Sequence, residues 1–286
     1  MVWEDGGGNP ASYPIGVRMR REILAAESVT ELGDDVRGAV LVAGSHGGLI
    51  ACYLGASAGA HALILNDAGV GLEGAGIAGL AQLDVIGMAA ATVSNLSARI
   101  GDGQDSLARG VISHVNRTAA NAGIGVGMSA REAAMLLRDA APAHSRPLPY
   151  ADGRWLIGMQ GETEVWALDS VGKLVKEDDG RILLVGSHGG LHGGRPDSAL
   201  NHDGRPVAAR AAVFNDAGGG IDDAGFTRLP ELDARGIAAV TVSAASARIG
   251  DGRSMFESGL ISQLNAVAAR AGARIGDSLR AWLGRL

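Results

Sequence analysis

The sequence predicts an α/β chain of two tandem pseudo-repeated units, each a mostly parallel sheet covered by helices on both faces. Three observations predict it: extended internal similarity, short runs of unbroken apolar residues, and 45 glycines among 286 residues. That glycine share is about twice the typical ~7%, without a Gly-X-Y period, so it serves turns and loops.

The similarity starts where Glu27-Ser28-Val29 aligns with Asp169-Ser170-Val171. At the same offset VLVAGSHGGL, from Val40, meets ILLVGSHGGL, from Ile182. Asn66-Asp67-Ala68-Gly69 then matches Asn215-Asp216-Ala217-Gly218, and the alignment runs on without a gap. The segment SARIGDG is identical at Ser97–Gly103 and Ser246–Gly252. Periodic self-similarity of this kind precedes any motif in a reading of fold.

The elements follow in order. Apolar runs bounded by turn residues predict strands at Glu22–Ser28, Ala39–Gly44, Ala62–Asn66 and Ala89–Ser94. In the second unit they fall at Val165–Ser170, Ile182–Gly186, Ala211–Asn215 and Ala238–Ser243. Continuous apolarity suits strands buried on both faces, hence a parallel sheet. Helices are predicted over Ser106–Ala122 and Met255–Ala271, with closing helices at Arg131–Leu137 and Ser278–Trp282. After Leu49 the first unit reads as an apolar helix to about Ala60. After Leu191 the second carries a polar loop from His192 to Arg205. The three prolines of Ala140–Asp152 mark a linker, dividing the chain into 1–139, 140–152 and 153–286.

Composition excludes several functions. A net charge of -6 lacks the clustered basic face of a nucleic-acid binder, and Arg18, Arg20 and Arg21 read as a solvated cluster. The single cysteine, Cys52, excludes a disulfide framework and a cysteine-rich metal site. No apolar run nears the ~18 residues of a membrane span, and no signal-like segment leads the chain, so the expected location is the cytoplasm. Ala- and Gly-rich helices with few charges point to self-association as a homo-oligomer.

In open α/β sheets ligands bind beyond the carboxyl ends of the strands. Those ends carry Glu27-Ser28 and Asp169-Ser170, Ser45-His46-Gly47-Gly48 and Ser187-His188-Gly189-Gly190, Asn66-Asp67 and Asn215-Asp216, and Ser94 and Ser243. The loops that follow add Ser97, Arg99 and Asp102 in one unit and Ser246, Arg248 and Asp251 in the other. His46 and His188 are candidate general bases, with the glycine N–H groups after them as oxyanion donors. A turn needs the glycines but not an imidazole, and both units keep the imidazole. Ser45 and His46 point apart as sequence neighbours, so they form no nucleophile–base pair.

Asp67 and Asp216 could orient the histidines as a triad acid does, or close the strand as an Asx-turn. Arg99 and Arg248 could clamp a carboxylate, or pair with the helix-capping Asp102 and Asp251. Ser243 and Ser246 are candidate nucleophiles. Ser113, Asn116, Ser262 and Asn265 fall on one face of the predicted helices as buried polar packing. The unrepeated histidines take no role, although the loop of His192 and His202 belongs near the second unit's site.

The HGG segment resembles the oxyanion loop of α/β-hydrolase esterases, but the chain has no G-x-S-x-G nucleophile elbow. The expected function is a cofactor-independent hydrolase of a small carboxylate, amide or ester, without a metal. His188, in the unit with the polar loop, should matter more than His46. Alternatives are a metal-dependent hydrolase or lyase using His and Asp, and a nucleotide- or phosphate-binding module built on Gly44-x-x-Gly47-Gly48.

Overall fold

A computed structural model describes residues 21–286. Arg18 and Arg20 lie outside the described residues. The chain is mixed α/β, with two largely parallel sheets and nine α-helices among the described residues.

The first sheet contains β1 (Ile23–Ala26), β2 (Val40–His46), β3 (Ala62–Asn66), β4 (Ala90–Val93) and β5 (Ile112–Val115), in that order. β1 to β4 run parallel, and β5 is an antiparallel edge. Its helices are α1 (Leu49–Ser57), α2 (Gly79–Val85), α3 (Gly103–Arg109), α4 (Arg117–Asn121) and α5 (Ala130–Leu137).

The second sheet has β6 (Arg154–Gln160), β7 (Thr163–Leu168), β8 (Ile182–His188), β11 (Ala211–Asn215), β12 (Ala238–Val242) and β13 (Ile261–Leu264). Between β8 and β11 lies a separate small hairpin of β9 (Asn201–His202) and β10 (Arg205–Pro206). The order is β13-β12-β11-β8-β7-β6, parallel from β7 to β12 with antiparallel edges. Helices α6 (Arg228–Ala234), α7 (Gly252–Ser258), α8 (Ala266–Arg270) and α9 (Leu279–Leu283) complete the chain. No helix among the described residues is long and apolar enough to cross a membrane.

Alternate residues of β2 enter two different clusters. Val40 and Val42 pack with Ala119, Ala130, Ala133 and Leu137 of α4 and α5. Leu41 and Ala43 pack with Ala51 and Cys52 of α1 and Leu80 and Leu83 of α2. This is the two-faced burial that an unbroken apolar strand requires.

The predicted helices at Ser106–Ala122 and Met255–Ala271 are not single helices. Each is a short helix, an antiparallel edge strand and a second short helix: α3, β5, α4 and α7, β13, α8. Gly110 and Gly259 end the first helices in extended conformation. Asn116 and Asn265 cap the second by accepting from Ala119 N and Ala268 N. Ser113 and Ser262 therefore lie on strands, not one helical turn from the asparagines. Helices α2 and α6, and strand β6, were not expected from sequence. Residues 140–152 contain no helix or strand.

The two sheets' loops meet closely. A Cβ added at Gly69 would lie 3.1 Å from Gly218 Cα. Leu72 N donates to Ala244 O at 2.7 Å, and Ile221 N to Asn95 O at 2.8 Å. Ala68 and Ala217 take left-handed φ of 50° and 51°, rare for residues with a Cβ, inside this contact. The glycines after the Asn-Asp pairs thus lie in close backbone packing.

Candidate active site

The strands β2 and β8 end in Ser45-His46 and Ser187-His188, and all four residues are buried. A register shift before the histidines pairs His46 with Asn66 and His188 with Asn215. Ser45 Oγ accepts from Val29 N at 3.0 Å, and Ser187 Oγ from Val171 N at 2.9 Å, tying each strand end to its neighbour.

The histidines are fixed alike. His46 Nδ1 accepts from Gly48 N at 3.0 Å, and His188 Nδ1 from Gly190 N at 3.2 Å. An Nδ1 that accepts an amide leaves the proton on Nε2, so each ring presents an Nε2–H donor. No protein group among the described residues takes either donor. Burial lowers His46 to about 4. Burial, then Arg228 and His192, hold His188 well below the ordinary histidine range. Both rings are neutral at pH 7, which makes them feeble bases and competent electrophilic donors.

Each ring also faces the other sheet's loop. A Cβ at Gly101 would lie 3.3 Å from His188 Cε1, and one at Gly250 3.4 Å from His46 Cε1. Between them lies a cavity of about 30 Å³ lined by Ser28, Ser45, His46, Ser170, Ser187 and His188. The structure thus brings together four expected residues, two from each SHGG segment, at one place.

Other expected residues are used elsewhere. Gly47 N donates to Asn66 O and Gly189 N to Asn215 O, each at 2.8 Å. With Gly48 N and Gly190 N on the histidines, the glycine amides are consumed internally and cannot serve as an oxyanion hole or phosphate cradle. Asp67 Oδ1 accepts from Gly69 N at 3.0 Å and Asn95 N at 2.9 Å. Asp216 Oδ1 accepts from Gly218 N and Ala244 N, both at 2.8 Å. Neither aspartate is hydrogen-bonded to a histidine. The side-chain amides of Asn66 and Asn215 donate to Ala98 O and Ala247 O at 3.1 and 3.0 Å.

Arg248 pairs with Asp251 at 2.9 Å and Glu73 at 3.1 Å. Arg99 pairs with Asp222 at 2.9 Å. Asp102 and Asp251 cap α3 and α7. Ser246 Oγ donates to Ser243 O at 2.8 Å and accepts from Leu260 N at 2.9 Å, while Ser243 Oγ accepts from Ala245 N. Ser94 and Ser97 repeat this arrangement. These serines hold their own loops, and each arginine ties its loop to that of the other sheet.

Ser170 and His192 line the cavity, and Asp152 and Lys173, which sequence reasoning missed, adjoin Ser170. Ser170 Oγ donates to Asp152 Oδ2 at 2.8 Å, and Lys173 Nζ lies 3.6 Å from the same oxygen. Asp152 Oδ1 is buried without a hydrogen-bond partner, and burial raises the Asp152 carboxyl. His192 lies 6.0 Å from His188 between ring centroids. Its Nδ1 meets Glu31 Oε1 at 3.1 Å, and its Nε2 accepts from Arg228 Nη2 at 3.2 Å. Burial outweighs the attraction of Glu31 and keeps His192 neutral. His192 also borders a second cavity of about 450 Å³, which shares Thr30 and Val171 with the first. Of these groups only Ser170 is repeated, as Ser28, and His192 lies in the polar loop already placed near the site; Asp152 and Lys173 carry no repeat signal.

No group of three or more His, Cys, Asp or Glu among the described residues is placed to hold a metal ion. Comparison with known proteins found no matching family model, curated protein or solved structure.

Proposed function

We propose that the chain is a tandem duplication with helices on both sheet faces, and that one hydrolytic site lies between its halves. The observation that carries the reading is the pair of neutral, identically oriented histidines lining one serine-rich cavity. Of a small ester or amide, the cavity of about 30 Å³ would take only the carbonyl oxygen, with the rest of the molecule in the adjoining cavity of about 450 Å³. That oxygen would accept from the Nε2–H groups of His46 and His188. Those donors strengthen as the oxygen becomes an oxyanion.

Ser170 is the favoured nucleophile. Its Oγ attacks the carbonyl carbon while its proton passes to Asp152, whose raised carboxyl pKa suits a base. Collapse of the tetrahedral adduct expels the alcohol or amine, which takes the proton from Asp152 and leaves an acyl-serine. Water then adds to the acyl carbon with Asp152 again as base, releasing the acid and restoring Ser170. The catalytic histidines thus act as donors, not as the bases expected from sequence. A shared cavity favours one composite site over a site dominated by His188.

The test is turnover of a panel of small aryl esters and amides, with mass spectrometry of the acylated protein. Either His46→Ala or His188→Ala should lower kcat on the order of 10²–10³, the cost of one oxyanion donor. An acyl adduct should map to Ser170 and vanish in Ser170→Ala. Near-full activity in a folded double histidine variant would sink the reading.

A further inference from the structure

We infer that the larger cavity beside His192 binds the carboxylate of a small-molecule ligand, and that Glu31 is the internal occupant of that subsite. The inference deepens the reading above by naming a substrate class, and rests on it only in calling the ligand a substrate.

The side chain of Arg228 is fully buried. Its Nε donates to Gly190 O at 2.9 Å, Nη1 to Ser198 O and Ala199 O at 2.5 Å, and Nη2 to His192 Nε2. Every one of these partners is neutral. A buried cation without a counter-charge is costly, and the anion that acts on it is Glu31, across the His192 ring.

Because His192 Nε2 accepts from Arg228, its proton sits on Nδ1 and points to Glu31 Oε1. Arg195 Nη2 approaches the other carboxylate oxygen, Oε2, at 3.4 Å. A neutral imidazole donor, a guanidinium and a buried positive charge therefore converge on a single carboxylate. The His192 donor and the Arg228 cation are buried and fixed. Glu31 is different: its side chain is 53% exposed, on the segment after β1. The buried part of the receptor, His192 and Arg228, stays in place, while Glu31 and the 54% exposed Arg195 can swing out into solvent. The adjoining space of about 450 Å³ is of a size that takes small ligands. The first half has no counterpart, because α1 fills the equivalent region.

A ligand carboxylate must compete with Glu31, so apparent affinity falls by the fraction of time the subsite is free. If Glu31 holds it about nine-tenths of the time, Glu31→Ala should bind carboxylates about tenfold more tightly. NMR titration of the full chain with propionate, the neutral isostere propionamide, and inorganic phosphate reads this directly. The His192 imidazole resonances report the site. Propionate should bind Glu31→Ala about tenfold more tightly than the unaltered chain, propionamide equally to both. Adding Arg195→Ala should remove the gain. Propionate should also raise the melting temperature of Glu31→Ala more than that of the unaltered chain. Equal propionate affinities, an equal gain for propionamide, or a preference for phosphate would each overturn the inference. None of these readouts needs turnover, so failure of the proposed hydrolysis would remain distinguishable.

Discussion

Immediately after SHGG the two halves part company, and one residue position shows how. In the first half the chain enters α1, and Gly79 N donates to Gly47 O at 3.0 Å. In the second half Arg228 N makes the same bond to Gly189 O at 2.9 Å, but a loop replaces the helix. A Cβ on Gly79 would overlap Cys52 of α1. The Arg228 side chain instead lies under the loop, donating to the carbonyls of Gly190, Ser198 and Ala199. A helix satisfies its own carbonyls; a buried loop needs donors from elsewhere. One half therefore needs a glycine where the other needs a guanidinium.

The largest expected effect breaks that arrangement. Arg228→Ala strands three carbonyl oxygens and His192 Nε2, at about 1–3 kcal/mol for each that water cannot reach. Relief of the buried charge offsets part of this. We expect a net loss of about 3 kcal/mol in urea denaturation, and loss of the slowly exchanging amides of residues 191–200. A loss below about 1 kcal/mol would mean that the loop does not depend on the guanidinium.

The next test uses pH to compare His46 with His188. Both have folded pKa values below that of a free histidine, so the unfolded chain binds more protons in the interval. Stability is thus full above pH ~6.5 and falls as pH drops toward 4. For His46, lowered to about 4, the loss approaches roughly 3 kcal/mol across that window. Asp169, pushed up to about 6 by burial, acts with opposite sign, gaining stability as pH falls below 6. The slope of the unaltered chain minus that of His46→Gln isolates one ring. His188→Gln should likewise remove about one proton's worth of slope from this window, because burial, then Arg228 and His192, lower His188. An unchanged slope in either variant would mean that the ring is not held neutral by the fold.

The same contrast explains what the sequence could and could not reveal. The buried strands were legible because an unbroken apolar run such as Val40–Ala43 has few other uses. Their carboxyl ends were legible too, since SHGG and Asn-Asp recur. The edge strands β5 and β13 were hidden because their few residues sit between two short helices, and apolar spacing merges the three. Gly110 and the capping Asn116 were the available signals. At the site, repetition pointed to His46 and His188, which line one cavity, and equally to Asp216, Arg248 and Ser246, whose bonds are to loop residues. Repetition could not reveal Glu31, Asp152, His192 or Arg228, each of which differs between the halves. Glu31, His192 and Arg228 converge only in three dimensions.

The smallest expected effect is a difference near zero, and it tests whether the halves share one structural logic beyond the site. Asn116 Oδ1 accepts from Ala90 N at 3.1 Å and Ala119 N at 2.8 Å, and Nδ2 donates to Met88 O at 2.8 Å. Asn265 Oδ1 accepts from Ala239 N at 3.1 Å and Ala268 N at 2.9 Å, and Nδ2 donates to Ile237 O at 2.8 Å. Each asparagine is 6% exposed. Each caps a helix and ties it to the buried start of β4 or β12, so truncation removes a cap and strands buried backbone groups. Either Asn→Ala change should cost about 2–3 kcal/mol. The two costs should agree within ~0.5 kcal/mol, and they should add in the double variant if the two sites share no partners. A gap of 1 kcal/mol or more would show that matched hydrogen bonds do not carry matched energies, and that the asymmetry around Arg228 reaches into the cores of the sheets.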